Sequence, residues 1–399
     1  MKRYAEVLRV PHVAPLIAAT LIARFPIGIN ALALILYLRH ATGSFAIAGV
    51  VAGGLAAGAG VGAPVQGRLV DTFGQRRVLV PLAFVHATAL GSVVAFAELG
   101  APTVVLVACS VSAGFAIPPT SSVLRSMWPS LLRDREELLQ PAYALDSVLI
   151  ELIFILGPLL TAVLTAAVSP ASALLVSVAS VITGTIWFTA QAPSRAFEPD
   201  REARTSRFGA LVSPGVRSLV LTSLPAGVGI GMVEVGLPAF SDAMGAAELA
   251  GLLLAVWSLG SAAGGLIYGA LPNRPPLGRL HLAVSALLPL GLLPLAAASS
   301  VPVMALLVIP AGAFIAPLLA TRNELIGWVA PPDARTEAFT WPQTAFVGGI
   351  AIGAALAGTI VQHSGSSPAF LAAGAIAALG AVIAIARRST IAAPRSYTV

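Results

Sequence analysis

Seven ionisable side chains sit inside or at the ends of long apolar runs: Arg24, Arg125, Asp146, Glu151, Glu234, Arg322 and Glu324. A charge at the centre of a bilayer costs about 2.5–3.5 kcal/mol on insertion scales, so such groups face a bundle interior and find partners. The chemistry they offer is ion pairing and proton transfer, not covalent catalysis. Arg24 is near the middle of the first run and Glu151 near the middle of the fifth, with Asp146 about a turn closer to that run's start. Glu234 lies in the outer half of the seventh run, with no cation at matching depth, and an acid in a cavity without a fixed cation is suited to carrying protons. Arg125, and Arg322 with Glu324, lie toward the inner ends of the fourth and tenth runs. There a long stem either snorkels to the headgroups or turns into the bundle. No phosphate-binding loop, zinc spacing or Ser-His-Asp constellation is present, so no enzyme activity and no cofactor are expected. The single cysteine, Cys109, allows neither an intrachain disulfide nor a thiolate metal cluster.

The elements that must position these groups follow from composition. The 399 residues are 57% hydrophobic and 10% charged, against about 25% charged in soluble domains. Apolar runs fall at 13–38, 45–66, 78–97, 102–124, 141–167, 170–190, 218–240, 249–271, 280–299, 302–321, 338–362 and 368–386. Each is long enough to cross a bilayer as a helix, and none alternates as barrel strands do. An all-α membrane protein of twelve transmembrane helices is expected. The basic start, Met1-Lys2-Arg3, leads into a run that contains Arg24 and lacks a cleavage signal, so it reads as a retained first span.

The net charge of +6 is distributed as membrane topology requires, not as nucleic-acid binding would. With the N-terminus inside, the inner segments carry Lys2, Arg3, Arg9, Arg68, Arg76, Arg77, Arg133, Arg135, Arg195, Arg201, Arg204, Arg207, Arg274, Arg279, Arg335 and the tail arginines. The outer loops carry essentially Arg39 alone, so both termini are expected in the cytoplasm. The longest polar stretch, Gln191–Arg217, divides the chain into a six-helix bundle over 1–190, a linker over 191–217 and a second bundle over 218–399. The halves repeat. At an offset of 202, Gly58, Gly62 and Gly67 match Gly260, Gly264 and Gly269; near 198, Ala113-Gly114 and Pro119 match Ala311-Gly312 and Pro317. Two pseudo-symmetric bundles with a site between them are the expected architecture.

Between the second and third runs stands Gly67-Arg68-Leu69-Val70-Asp71-Thr72-Phe73-Gly74-Gln75-Arg76-Arg77. This G-x-L-x-D-x-x-G-x-R-R spacing resembles the cytoplasmic loop signature of the major facilitator superfamily. The resemblance implies that Asp71 meets a helix dipole of the opposite half in the outward-facing state, with Gly67 and Gly74 allowing close approach and a tight turn and Arg76 and Arg77 completing the gating motif. Thr72 and Gln75 depart from it, since basic residues are common there. The degenerate second copy, Gly269-Ala270-Leu271-Pro272-Asn273-Arg274, lacks the acid. The resemblance also makes the first and fifth spans neighbours at the central cavity, which pairs Arg24 with Glu151. Gly157-Pro158 resembles the element that marks exporters of the superfamily, without its flanking glycines. The tryptophans at 128, 187, 257, 328 and 341 read mostly as an interfacial belt.

These readings imply a monomeric secondary transporter of the inner (plasma) membrane, exporting a small organic compound by alternating access in exchange for protons. Arg24, Asp146, Glu151, Glu234 and Arg125 are the candidate substrate- and proton-coupling residues. A sugar or metabolite exporter or facilitator without proton coupling is the alternative; a receptor or scaffold would need a soluble domain that the sequence does not hold.

Overall fold

The computed structural model describes residues 2–43, 45–169, 171–196, 209–246, 249–271 and 275–391. Twelve helices are long and apolar enough to cross a membrane. They are α1 (Val13–Thr42), α2 (Ile47–Phe73), α3 (Gln75–Glu98), α4 (Thr103–Leu131), α5 (Glu136–Thr165), α6 (Ser172–Ala190), α7 (Pro214–Ala243), α8 (Ala250–Ala270), α9 (Leu277–Ala297), α10 (Val301–Val329), α11 (Pro332–Ser364) and α12 (Ser366–Ala386). A short helix, Lys2–Arg9, precedes α1. No strand occurs among the described residues, as expected where lipid offers the backbone no hydrogen bonds.

In lipid, helices associate by close packing rather than by the hydrophobic effect, and small residues set where they cross. A Cβ added at Gly58 or Gly62 of α2 would strike the α4 backbone at Val111 or Phe115, and one at Gly114 of α4 would strike Leu55. The second half repeats this crossing: Gly260 and Gly264 of α8 meet Ile309 and Ala313 of α10, and Gly312 meets Trp257. These are the glycines that the internal repeat aligns. Immediately beyond them both α4 and α10 break, the first helical segment ending at Phe115 and Gly312 and the second starting at Thr120 and Ile315. In α4 the break holds Pro118-Pro119, whose rings supply no N–H to a continuing helix. Gly157 has a similar packing role: α5 crosses α1 there, against the backbone of Gly28.

Three cores result. One lies wholly in α1–α6 and contains Ile29, Leu34, Val51, Leu90 and Leu174. A second lies wholly in α7–α12, with Leu237, Trp257, Leu288 and Phe370. The third is shared, joining Leu16, Leu79, Trp128 and Tyr143 to Leu219, Leu325, Phe339 and Ile391. The shared core takes in Val7 of Lys2–Arg9 and Ile391, the last described residue, so it marks the face that carries both ends of the described chain, hereafter the terminal face. Away from it each half packs on itself.

The tryptophan belt is corrected. Trp128 and Trp257 are buried core residues; only Trp187 and Trp328 are exposed. The linker from 197 to 208 and the loop holding Asn273 and Arg274 lie outside the described residues.

Candidate functional site

Asp71, at the end of α2, reaches across to the first turn of α11. Its two carboxylate oxygens accept the backbone N–H groups of Thr336 (3.1 Å) and Glu337 (2.8 Å). The α-helical part of α11 starts at Arg335, so these are among the four N–H groups that a helix start leaves without internal partners. Asp71 therefore caps a helix of the other half, and its charge sits at the positive end of that helix dipole. Gly67, one turn earlier, makes the approach possible, since a Cβ there would lie 2.9 Å from Thr340 and 3.0 Å from Glu337. Gly74 turns the chain between α2 and α3 with φ 89°, a region closed to most side chains. Arg76 and Arg77 are exposed. Gln75, where the resembling family is often basic, is buried and accepts the Ser194 hydroxyl at 2.6 Å.

Other bonds close the same face. Tyr4 donates to the carbonyls of Gly265 (3.0 Å) and Leu266 (3.1 Å), and Arg3 to that of Leu271 (3.1 Å). Burial pushes the Tyr4 hydroxyl up to about 12, partly offset by its backbone contact at Gly269. Gln140 of α5 donates to the Tyr268 carbonyl of α8, and the hydroxyls of Ser126 and Thr336 lie 3.2 Å apart. Tyr143 of α5 stacks on Phe339 of α11, ring centres 6.2 Å apart. Among the described residues, every hydrogen bond that joins the two halves lies at the terminal face.

Behind this seal is the charge cluster. Asp146 of α5 is 2% exposed, and each of its oxygens takes a different arginine: Arg24 Nη2 on Oδ1 and Arg125 Nε on Oδ2, both at 2.5 Å. Three helices, α1, α4 and α5, are thus tied by one carboxylate. Arg24 is thus paired with Asp146; its expected pairing with Glu151 falls on a side chain outside the described residues. Arg125 and Arg322, 5% and 3% exposed, turn into the bundle and do not snorkel. Glu234 is exposed and engages in a polar or electrostatic contact.

Sequence reasoning missed Tyr4, Gln140, Thr336 and Gln343, which bind mostly through backbone or amide groups. One signal was available: Arg125 to Asp146 and Arg322 to Gln343 are both separations of 21 residues, at equivalent places in the two halves.

A family model for the Major Facilitator Superfamily matches residues 16–293 and 219–397. No curated protein matches the chain. Among solved structures, a bacterial homologue of the iron transporter ferroportin, outward-facing with soaked iron, is 14% identical over 94% of this chain and 99% of that one, with a TM-score of 0.75. The E. coli fucose:proton symporter is 13% identical over 94% and 98%, TM-score 0.74. The human organic anion transporter MFSD10 is 16% identical over 96% and 99%, TM-score 0.65. At these identities the likeness shows the fold alone.

Proposed function

This chain belongs to the major facilitator superfamily, and we propose that it is a secondary transporter exporting a small organic compound by alternating access in exchange for protons. The observation that carries the reading is the asymmetry of the contacts between halves. They concentrate at the terminal face, where Asp71 caps a helix of the other half. That contact exists only while this face is closed, so its energy biases one of two states, which is what alternating access requires. The arginine asymmetry supports a cytoplasmic terminal face in a plasma membrane, and on that reading this is the outward-facing state of a monomeric transporter.

Asp146 acts as the anchor of its cluster rather than as the proton carrier, because protonating it would leave two buried arginines without their shared counter-charge. Glu234, exposed on the outer half of α7, takes the carrier role, with Glu151 as the second acid. One of the similar structures is a fucose:proton symporter; this reading shares its coupling ion but reverses the substrate's direction. The test is flux of a metabolite and drug panel into proteoliposomes under an imposed pH gradient. Glu234→Gln is expected to keep exchange and lose gradient-driven accumulation. If Glu234→Gln, Glu151→Gln and Asp146→Asn all keep full gradient-driven transport, the uncoupled facilitator takes its place.

A further inference from the structure

The internal repeat carries the N-terminal charge cluster into the C-terminal half, but with its anion missing. Arg125 of α4 meets Asp146 of α5, and 21 residues likewise separate Arg322 of α10 from Gln343 of α11. Ser223 of α7 stands where Arg24 of α1 completes the first cluster: Arg322 Nη1 lies 3.5 Å from its hydroxyl. The remaining contacts of Arg322 are all neutral. Nη2 donates to Gln343 Oε1 at 2.9 Å and weakly to Asn323 Oδ1 at 3.4 Å, and the guanidinium lies 5.5 Å from the centre of the Phe346 ring. No carboxylate among the described residues pairs with it, and its Nε has no partner.

Buried charges in proteins are paired or bind ions. Arg322 is 3% exposed and lines a small cavity in the C-terminal half. His281 of α9 lines the same cavity, 2% exposed, with Nδ1 2.9 Å from the Thr321 hydroxyl and Nε2 without a partner. Arg322 and His281, each with an orphaned nitrogen, therefore line one space with Ser285. The Thr321 hydroxyl donates to the carbonyls of Pro317 and Leu318, so His281 Nδ1 donates to Thr321 and Nε2 becomes a donor only when the ring takes up a second proton. The space holds about one water molecule, so a larger anion enters only as a neighbouring side chain gives way. Gln343 is only half-buried, so its amide oxygen, now on Arg322, is the contact an incoming anion would displace.

We propose that Arg322 forms a binding site for a single small monoanion, a halide ion or a carboxylate group, which supplies the charge that Asp146 supplies in the other half, with His281 donating to it from Nε2 once the ring has taken a proton from solvent. The site goes beyond the transport reading and does not depend on proton coupling or on the exported compound.

The experiment is thermal unfolding of the purified full chain at constant sodium, with gluconate replaced stepwise by chloride in one series and by acetate in another. The expected result is a saturable rise in melting temperature with at least one of them. A rise with chloride alone identifies a halide site, and a rise with acetate a site that accepts carboxylates. Arg322→Gln is expected to abolish the rise. Gln343→Glu places a carboxylate on Arg322 from within. It is expected to melt at least as high as the parent and to need about tenfold or more anion for half of any remaining rise. No saturable rise in the parent would overturn the site and leave water as the occupant. So would a rise that persists unchanged in Arg322→Gln or Gln343→Glu.

Discussion

Removing the charge of Asp71 should open the terminal face by an amount that the geometry sets. Its carboxylate takes two N–H groups of α11, at 3.1 and 2.8 Å, and lies at the positive end of that helix. In Asp71→Asn one oxygen remains as an acceptor, but the charge is gone and the amide N–H₂ now faces backbone donors. Loss of a helix cap is worth about 0.5–2 kcal/mol, and of a charge–dipole contact about 0.3–1 kcal/mol, up to about 2 when partly buried. A net change of about 1–2 kcal/mol shifts the closed-to-open ratio by a factor of about 5–30. Asp71→Ala leaves both N–H groups without an acceptor while the face is closed, and about 2–4 kcal/mol is expected. The assay is a distance distribution between spin labels at Arg77→Cys and Arg217→Cys, both exposed, one in each half, in a Cys109→Ser background. A longer-distance population should grow in the order parent, Asn, Ala. Superimposable distributions in all three would refute the reasoning, as would a larger effect of Asn than of Ala.

Arg24→Ala and Asp146→Ala should each destabilise the protein strongly, about 3–5 kcal/mol where a buried charge loses its partner, and the double variant should lose less than the sum; additive losses in a double-mutant cycle would show that the pair is not coupled. Gly62→Val should abolish folded, monodisperse protein because its side chain would enter the Phe115 backbone, whereas Gly49→Ala, with open space around it, should behave as the parent in size-exclusion chromatography. Tyr4→Phe should weaken closure of the terminal face by about 0.5–1.5 kcal/mol. Because burial raises the Tyr4 hydroxyl from 10 to about 12, its contribution is complete below pH 10 and is lost only as pH climbs through the raised value. The Tyr4→Phe effect on the distance distribution should therefore be the same at pH 6 and pH 8.5.

The span count was legible because each helix must be apolar along its own length, a property of local sequence. The α2–α4 and α8–α10 crossings were legible too, since Gly58, Gly62 and Gly114 recur as Gly260, Gly264 and Gly312 and only glycine admits backbone that close. The contact of Asp71 with the opposite half came from a family resemblance to its loop; nothing in the local residues specifies Thr336 and Glu337 as its donors. Partner choice inside the bundle was not legible. Hydropathy gives a residue's depth but not its rotation about the helix axis, and so it did not single out Asp146 as the partner of Arg24. The start of α11 was placed too late because Arg335, Thr336 and Glu337 are polar, although they are helical and buried or partly buried against the other half. Gln343 was passed over because it carries no charge, and its role appears only when the two 21-residue separations are set side by side.

The central claim is that one face closes as the other opens, and this is measurable without knowing the substrate. Ser126→Cys and Thr336→Cys replace two hydroxyls 3.2 Å apart across the terminal face, so an oxidised pair should lock that face shut. Spin labels at His40→Cys and Met244→Cys, exposed at the far ends of α1 and α7, report the opposite face; the labels go on before the lock is formed by a photocaged cysteine pair. With the lock oxidised in the Asp71→Asn background, the account predicts a single long distance across the far face. On reduction a second, shorter population should appear. A far-face distance indifferent to the lock, or one that lengthens when the terminal face opens, would contradict it.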